Sequence, residues 1–587
     1  MSPAQPRPPR PSSRRRPPDV YDFSRVGHRD TLDRIERELA KRLAEVAREL
    51  GADSASLPAI SLGPTRDPAH GDFASAAPLA AAKAWKRNPL DIARGVIGRG
   101  VDGLSDVAEL HMAGPGFINV YMAPAFWHAV VCDVLSLGAD FGRSQALAQV
   151  GPINVEFVSA NPTGPVAVVQ GRSGSLGSTL VELFRFAGAA TTAETYVNDA
   201  GAQVDLLADS VYARYATLCG VETPVPPDGY HGEYLIDIAR ELLERVGPRW
   251  LNADPEQRRL ALGTYAKDVI VAAQREDLER FRVHFDVWTS ERALHDAGKI
   301  DGALKHLVDL GETYEKDGAT WLRSTAFGDD KDRVLRRSDG RPTYLAADVA
   351  YHHDKFDRGA RHLIDVLGPD HHGYIKRLEA IAAALGHPGC LEVVIVQQVT
   401  LKRGDELVPM SKRAGTIVTL RELIDEVGAD AGRFFFVERA PESHLVFDLR
   451  LAVEQSSKNP VYYVQYGHAR ISSILRRAAD TGRASELERA RGGLDVARLA
   501  HPAEIALIRR MADLSRTVVD AAKARAPHRV AEYARSVATD FHAFYTDCPV
   551  LGPDAELASA RLSLCLAAQT VLATALRLLG VTAPDKM

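Results

Sequence analysis

The stretch Ile153-Asn-Val-Glu-Phe-Val-Ser-Ala-Asn-Pro-Thr-Gly-Pro-Val-Ala-Val-Val-Gln-Gly171 decides the fold. Its opening, Ile153 to Val158, is a short β-rich run. Ser159-Ala-Asn-Pro-Thr-Gly-Pro165 then forbids a regular element, because two prolines and a glycine fall within seven residues. A long helical pattern follows and stops near Gly188. Strand, loop and helix in that order open a doubly wound, nucleotide-binding α/β sheet. Such sheets hold their ligands beyond the carboxyl ends of the strands, and Glu156 and Asn161 stand there.

Working outward, Leu363-Ile-Asp-Val-Leu367 and Leu391-Glu-Val-Val-Ile-Val396 supply further strands of the same sheet. The sheet domain is expected over about 150–450, with charged helical sequence at about 226–330 reading as an insertion. Before it, residues 28–125 read as a small α/β domain. That block starts with Leu32, Ile35, Leu39, Leu43 and Val46 at helical spacing and ends on a turn and strand at Ala113-Gly-Pro-Gly-Phe-Ile-Asn-Val-Tyr121. After it, residues 455–587 carry helical periodicity and few strand signals, so a helical bundle is expected. Residues 1–18 hold five arginines, seven prolines and no acid, and the segment 1–27 is expected to be a disordered basic tail. Gly98-Arg-Gly-Val-Asp-Gly103 fits a dinucleotide-binding pattern but follows no strand, and is read as a turn.

A chain of 587 residues is too long for one core. Apolar residues make up 45% and charged residues 25%, an ordinary soluble composition. No uninterrupted apolar run reaches membrane-spanning length, so no membrane partner is expected. The five cysteines are scattered without a C-x-x-C pair, which points to a reduced, cytoplasmic protein with neither a metal site nor a disulfide framework. Net charge is −5, from 72 basic and 77 acidic side chains, so any nucleic-acid contact must come from local patches.

Several longer stretches carry a resemblance. They are Val155-Glu-Phe-Val-Ser-Ala-Asn-Pro-Thr-Gly-Pro165, Tyr196-Val-Asn-Asp-Ala-Gly201, Gly328-Asp-Asp-Lys-Asp-Arg-Val-Leu335 and Thr343-Tyr-Leu-Ala-Ala-Asp-Val-Ala-Tyr-His352. Asp370-His-His-Gly-Tyr374, Met410-Ser-Lys-Arg-Ala-Gly415, Asn459-Pro-Val-Tyr-Tyr-Val-Gln-Tyr-Gly-His-Ala-Arg470 and the final Leu579-Gly-Val-Thr-Ala-Pro-Asp-Lys-Met587 continue the series. In these the chain resembles the arginyl-tRNA synthetases of class I from about residue 28 to its last residue.

The resemblance implies a Rossmann-like catalytic domain between an N-terminal α/β tRNA-recognition domain and a C-terminal α-helical anticodon-binding domain. It implies an arginine–tRNA ligase that uses ATP with Mg²⁺, takes arginine and its tRNA as partners, binds no DNA and acts as a monomer. Recognition of a guanidinium fork needs carboxylates and amides. By resemblance, Asn161 holds the backbone end of the amino acid and Glu156 orients it. Tyr344 and Asp348, four apart and so on one face of a helix, line the guanidinium pocket, with His371 and His372 close by. Ser411 and Lys412 belong to the second ATP element, where proline stands in place of the first lysine. Tyr462, Gln465, Tyr466 and Ala469 form one helical stripe. The two tyrosines are candidates for stacking on unpaired bases and equally for core packing. Phe117 and Asn119 match positions that meet the tRNA elbow.

The first ATP element departs from the family. Members carry His-x-Gly-His where this chain has Ala167-Val-Val-Gln170, with Gly171 retained. The histidines donate to phosphate oxygens as charge builds, and the glycine leaves room for the adenine. Two functions remain open at this stage. One is a ligase with an altered ATP pocket. The other is a paralogue that binds arginine or tRNA without activating ATP.

Overall fold

The computed structural model describes residues 28–52, 57–65, 67–408 and 418–587. The chain divides into a unit ending at Ser136 and a second from Leu137 onward. In the first, helix His28–Glu49 buries Ile35, Leu39, Leu43 and Val46, the apolar stripe that its spacing demands. An antiparallel four-stranded sheet runs in the order Gly63–Pro64, Phe73–Ser75, Phe117–Met122, Val107–Ala113. Gly98 to Gly103 form a turn after helix Pro89–Ile97. The unit runs past the expected boundary at 125 to take in most of helix Pro124–Leu137. The basic tail lies outside the described residues.

The second unit is built on a five-stranded parallel sheet. Across it the strands are Leu391–Ile395, His362–Leu367, Ile153–Glu156, Thr191–Val197 and Val287–Ser290. The chain starts in the middle, winds to one edge and then returns to build the other. The order therefore reverses between Ile153–Glu156 and His362–Leu367, which is where a doubly wound sheet opens its crevice. Helix Val168–Phe186 follows the first strand. Its glycines let it lie against its neighbours: a Cβ at Gly177 would stand 2.2 Å from the Phe157 ring, and one at Gly171 2.7 Å from Leu420.

The stretch expected to be an insertion is interrupted by the sheet. Val287–Ser290 is the edge strand, missed because its four residues lie among long helical sequence. Helices Ala202–Leu218, Tyr234–Val246 and Pro255–Arg280 precede it and share a core of Leu207, Val211, Tyr215, Leu235, Leu242 and Ile270. A small antiparallel sheet, Thr313–Lys316, Ala319–Leu322 and Arg333–Arg336, follows it. Helices Pro460–Asp480, Pro502–Ala512, His528–Asp547 and Ala555–Leu578 form the bundle. Ala555–Leu578 is long and apolar enough to cross a membrane by length and composition. Here most of its apolar residues from Ala558 to Leu578 are buried inside the protein.

Candidate functional site

Directly after the central strand the backbone leaves its ordinary range. Val158 has φ 72° and Ser159 φ 39°, a left-handed conformation that a β-branched residue adopts only under constraint. The constraint is visible. The Ser159 amide donates to Thr195 Oγ1 at 3.2 Å and its hydroxyl to Glu156 Oε1 at 2.8 Å. The Tyr196 amide donates to Ser159 Oγ at 3.2 Å, and the Val158 amide to Ser173 Oγ at 3.3 Å. The turn aims the following loop across the sheet edge. Gln274 Nε2 holds that loop by donating to the carbonyls of Asn161 at 3.0 Å and Gly164 at 2.7 Å. Asn161 itself is exposed at the crevice.

Helix Tyr344–Asp357 lies over the same strand ends. Its polar stripe is Tyr344, Asp348, His352 and Lys355, with Tyr351 beside it. Tyr344 is 74% exposed and Lys355 is fully buried, so the stripe runs from solvent to core. The sheet sets three carboxylates abreast: Asp365 pairs in register with Glu156, and Glu156 with Glu194. Lys355 Nζ sits 2.5 Å from Glu156 Oε2 and 3.0 Å from Asp365 Oδ1. His352 Nε2 meets the other Asp365 oxygen at 3.0 Å. Just past the end of the helix, Arg358 Nη2 reaches both Glu194 oxygens at 2.8 Å. Burial alone pushes Asp365 up, but Lys355 and His352 pull it well below the usual carboxylate range.

A cavity of about 430 Å³ opens beside this stripe, lined by Tyr344, Thr343, Ala347, Glu291, His295, Gly201 and Arg292 among others. Glu291 is 7% exposed, accepts a hydrogen bond from Tyr196 and is pushed up by burial. Asp348 is half-buried, and burial raises it to about 6. The His352 ring and the Arg377 guanidinium oppose that rise while Glu156 and Glu291 add to it as like charges. Among the described residues no lysine or arginine forms an ion pair with Asp348. Arg292, Arg337 and Arg341 also line the cavity, so acids and guanidinium groups face it together.

The altered ATP element forms the amino end of helix Val168–Phe186. Ala167 bridges Thr419, the Val168 amide donates to Val418 O at 3.2 Å and the Leu420 amide to Val166 O at 2.7 Å. The residues just after the second ATP element thus sit against the first. Gln170 Oε1 accepts from the Ala167 amide at 2.7 Å, so its carbonyl caps the helix and only its amide Nε2 is left to donate outward. Val169 is half-buried in the first turn. Arg172, fully buried, donates to Gln397 O at 2.8 Å and Ala440 O at 3.0 Å, and burial pushes it down to about 10. Ser411 and Lys412 lie outside the described residues.

The remaining expected residues divide between surface and core. His371 and His372 are exposed on the turn Pro369–Tyr374 after strand His362–Leu367, and neither lines the cavity. Asn119 is 4% exposed within its sheet, in place of the surface contact expected of it, because it pairs across to Ala74 and His111 mid-strand. Phe117, at the strand's start, is 36% exposed. Tyr462 and Tyr466 are half-buried and stacked 6.0 Å apart, and Tyr466 stacks on His542 at 5.9 Å. Gln465 and Ala469 from the same stripe are buried. The sequence reading missed Glu291, Lys355, Asp365 and Glu194. Lys355 was within reach, since it extends the Tyr344–Asp348 stripe by two turns.

Comparison with known proteins agrees with this layout. Residues 33–122 match the family model of the arginyl tRNA synthetase N terminal domain, 239–456 that of the class I (R) tRNA synthetase catalytic domain and 464–587 that of the DALR anticodon binding domain. An arginine–tRNA ligase of Desulforudis audaxviator is 46% identical over 94% of this chain and 98% of its own length. One of Geobacillus kaustophilus is 44% identical over 95% and 100%. The arginyl-tRNA synthetase structure from Thermus thermophilus superposes with a TM-score of 0.71 at 23% identity, covering 94% of this chain and all of its own, a likeness of fold.

Proposed function

The chain belongs to the arginyl-tRNA synthetase family and is an arginine–tRNA ligase; we propose that it retains full aminoacylation chemistry through an ATP pocket that relies on backbone rather than histidine donors. ATP activates the arginine carboxylate, and the arginyl group then passes to the 3′ end of the tRNA. The observation that carries the reading is the acidic group Asp348 and Glu291, each pushed up by burial and by like charge, with Glu291 and Tyr344 lining a cavity of about 430 Å³. A guanidinium supplies the opposite charge. Tyr344 covers its flat face, and Asn161 holds the amino-acid end. The amino end of helix Val168–Phe186 faces the triphosphate, and a helix amino terminus attracts phosphate whatever its side chains. Gln170 adds one neutral donor. Magnesium enters as the counter-ion of the nucleotide, Ser411 and Lys412 complete the phosphate site, and the enzyme works where translation does, in the cytoplasm. Phe117, Tyr462 and Tyr466 contribute tRNA contacts.

Transfer of labelled arginine to its tRNA, with ATP and magnesium, tests this. Wild type runs beside a variant carrying Ala167→His, Val169→Gly and Gln170→His. Charging by the wild type supports the backbone-donor pocket. Charging by the variant alone refutes it, and would leave a protein that binds arginine without activating it.

A further inference from the structure

Three carboxylates abreast on adjacent strands repel one another, and burial intensifies the repulsion. Asp365, Glu156 and Glu194 are in that position, and Lys355 and Arg358 are the cations that face them. Lys355 has no exposed surface and its ammonium also lies 4.2 Å from the centre of the Tyr351 ring. It therefore touches no substrate. Both oxygens of Glu156 already hold protein donors, Lys355 Nζ at 2.5 Å and Ser159 Oγ at 2.8 Å. Glu156 is only 7% exposed. The residue expected to contact arginine is instead the middle link between a buried lysine and the left-handed turn that carries Asn161.

We propose that Lys355 is a positioning residue for arginine binding, acting through Glu156 and the Ser159 hydroxyl to fix the left-handed turn that presents Asn161. The relay is continuous: Lys355 to Glu156, Glu156 to Ser159, and Ser159 to the Tyr196 amide on the next strand. Without the ammonium, Glu156 Oε2 loses the donor that holds it, and the carboxylate turns away from the serine whether or not Asp365 is charged. The turn, whose φ values of 72° and 39° at Val158 and Ser159 are unfavourable by themselves, then relaxes and withdraws Asn161. This inference rests on the reading of the crevice as the arginine site.

Arginine binding to the full chain, measured by calorimetry without ATP, tests the relay separately from catalysis. Three variants are needed: Lys355→Met, the double variant Lys355→Met/Asp365→Asn, which removes the opposing charge, and Ser159→Ala, which cuts the relay at an uncharged link. The arginine Kd is expected to rise at least tenfold in all three, while binding of tRNA stays within twofold of wild type. The double variant recovers thermal stability without recovering arginine affinity. If Lys355→Met fails to fold, the double variant and Ser159→Ala carry the test. Wild-type affinity in Ser159→Ala, or recovery of affinity together with stability in the double variant, overturns the proposal and makes Lys355 a structural charge only. Arginine binding without tRNA charging by the wild type overturns the functional reading and leaves this one standing; a wild type that binds no arginine overturns both.

Discussion

Asp348 is the proposed partner of the arginine guanidinium. Its carboxyl is raised to about 6 by burial, with Glu156 and Glu291 adding like charge. An incoming guanidinium reverses that balance, so binding releases a proton wherever the free carboxyl is protonated. Arginine affinity is expected to hold above pH about 6 and to weaken below it, which calorimetry across pH 5–8 reads directly. Asp348→Asn removes a charge-assisted pair and raises the arginine KM by about 10- to 100-fold. The same change has the opposite effect on the empty protein. The folded carboxyl holds its proton to a higher pH than the unfolded one, so its contribution favours folding in acid and is lost as pH rises from about 4 to 6. Asparagine escapes that loss, and Asp348→Asn is expected to gain on the order of 1 kcal/mol at pH 7. Thermal melts at pH 4 and pH 7 check it, with the gain present only at the higher pH. Family resemblance singled out Tyr344 and Asp348, and their spacing set them on one helix face. Glu291 stayed hidden because its partners, Tyr196 and Asp348, are distant in the chain and only the sheet brings them together.

Among the elements, helix Val168–Phe186 is the most constrained. Glycines ordinarily weaken a helix, and alanine at an exposed helical glycine gains about 1 kcal/mol. At Gly177 the sign inverts. An added Cβ would stand 2.2 Å from the Phe157 ring, and Phe157 is fully buried on the chain just before the strained turn. The ring cannot move without displacing that turn. Gly177→Ala is therefore expected to destabilise the protein by about 2–3 kcal/mol and to weaken arginine binding as Val158 and Ser159 shift. Urea unfolding and arginine calorimetry on one preparation check both effects. The strand, loop and helix of this unit were legible in sequence, since breakers and apolar runs mark them locally. The edge strand Val287–Ser290 was not. It is short, it lies within helical sequence, and only pairing with Thr191–Val197 makes it a strand.

At the scale of the whole molecule, sequence resemblance marked the closing motif from Leu579 onward but said nothing of what it holds. Residues 580–585 run between the catalytic sheet and the bundle. Asp430, on helix Leu420–Val437, accepts from the Thr582 amide at 3.0 Å, from Gln465 Nε2 at 2.8 Å and from Arg282 Nη1 at 2.6 Å. His468 meets the Pro584 carbonyl at 2.9 Å and Ser472 donates to Asp585 at 2.8 Å. Beneath them the fully buried Arg433 ties Leu579 O, Phe281 O and Ser178 Oγ together. Asp430 gathers donors from three separate parts of the chain, so it is the point at which to cut. Asp430→Ala leaves those donors without their acceptor and is expected to cost about 2–4 kcal/mol. The loss should fall on the junction, because the cores of the sheet domain and the bundle are untouched. Burial pushes Asp430 up, but the Thr582 bonds and Arg282 hold it below its ordinary value. The clasp is then complete above pH about 4 and is lost as pH falls through that lowered value. Calorimetry at neutral pH should resolve the wild type as one transition, and Asp430→Ala as two, with the bundle melting first. A single transition shifted as a whole would mean that sheet and bundle are held together elsewhere. If the clasp is the coupling, the wild type brought below that lowered value should reproduce the split seen in the variant, since protonation then removes the same acceptor that the alanine does.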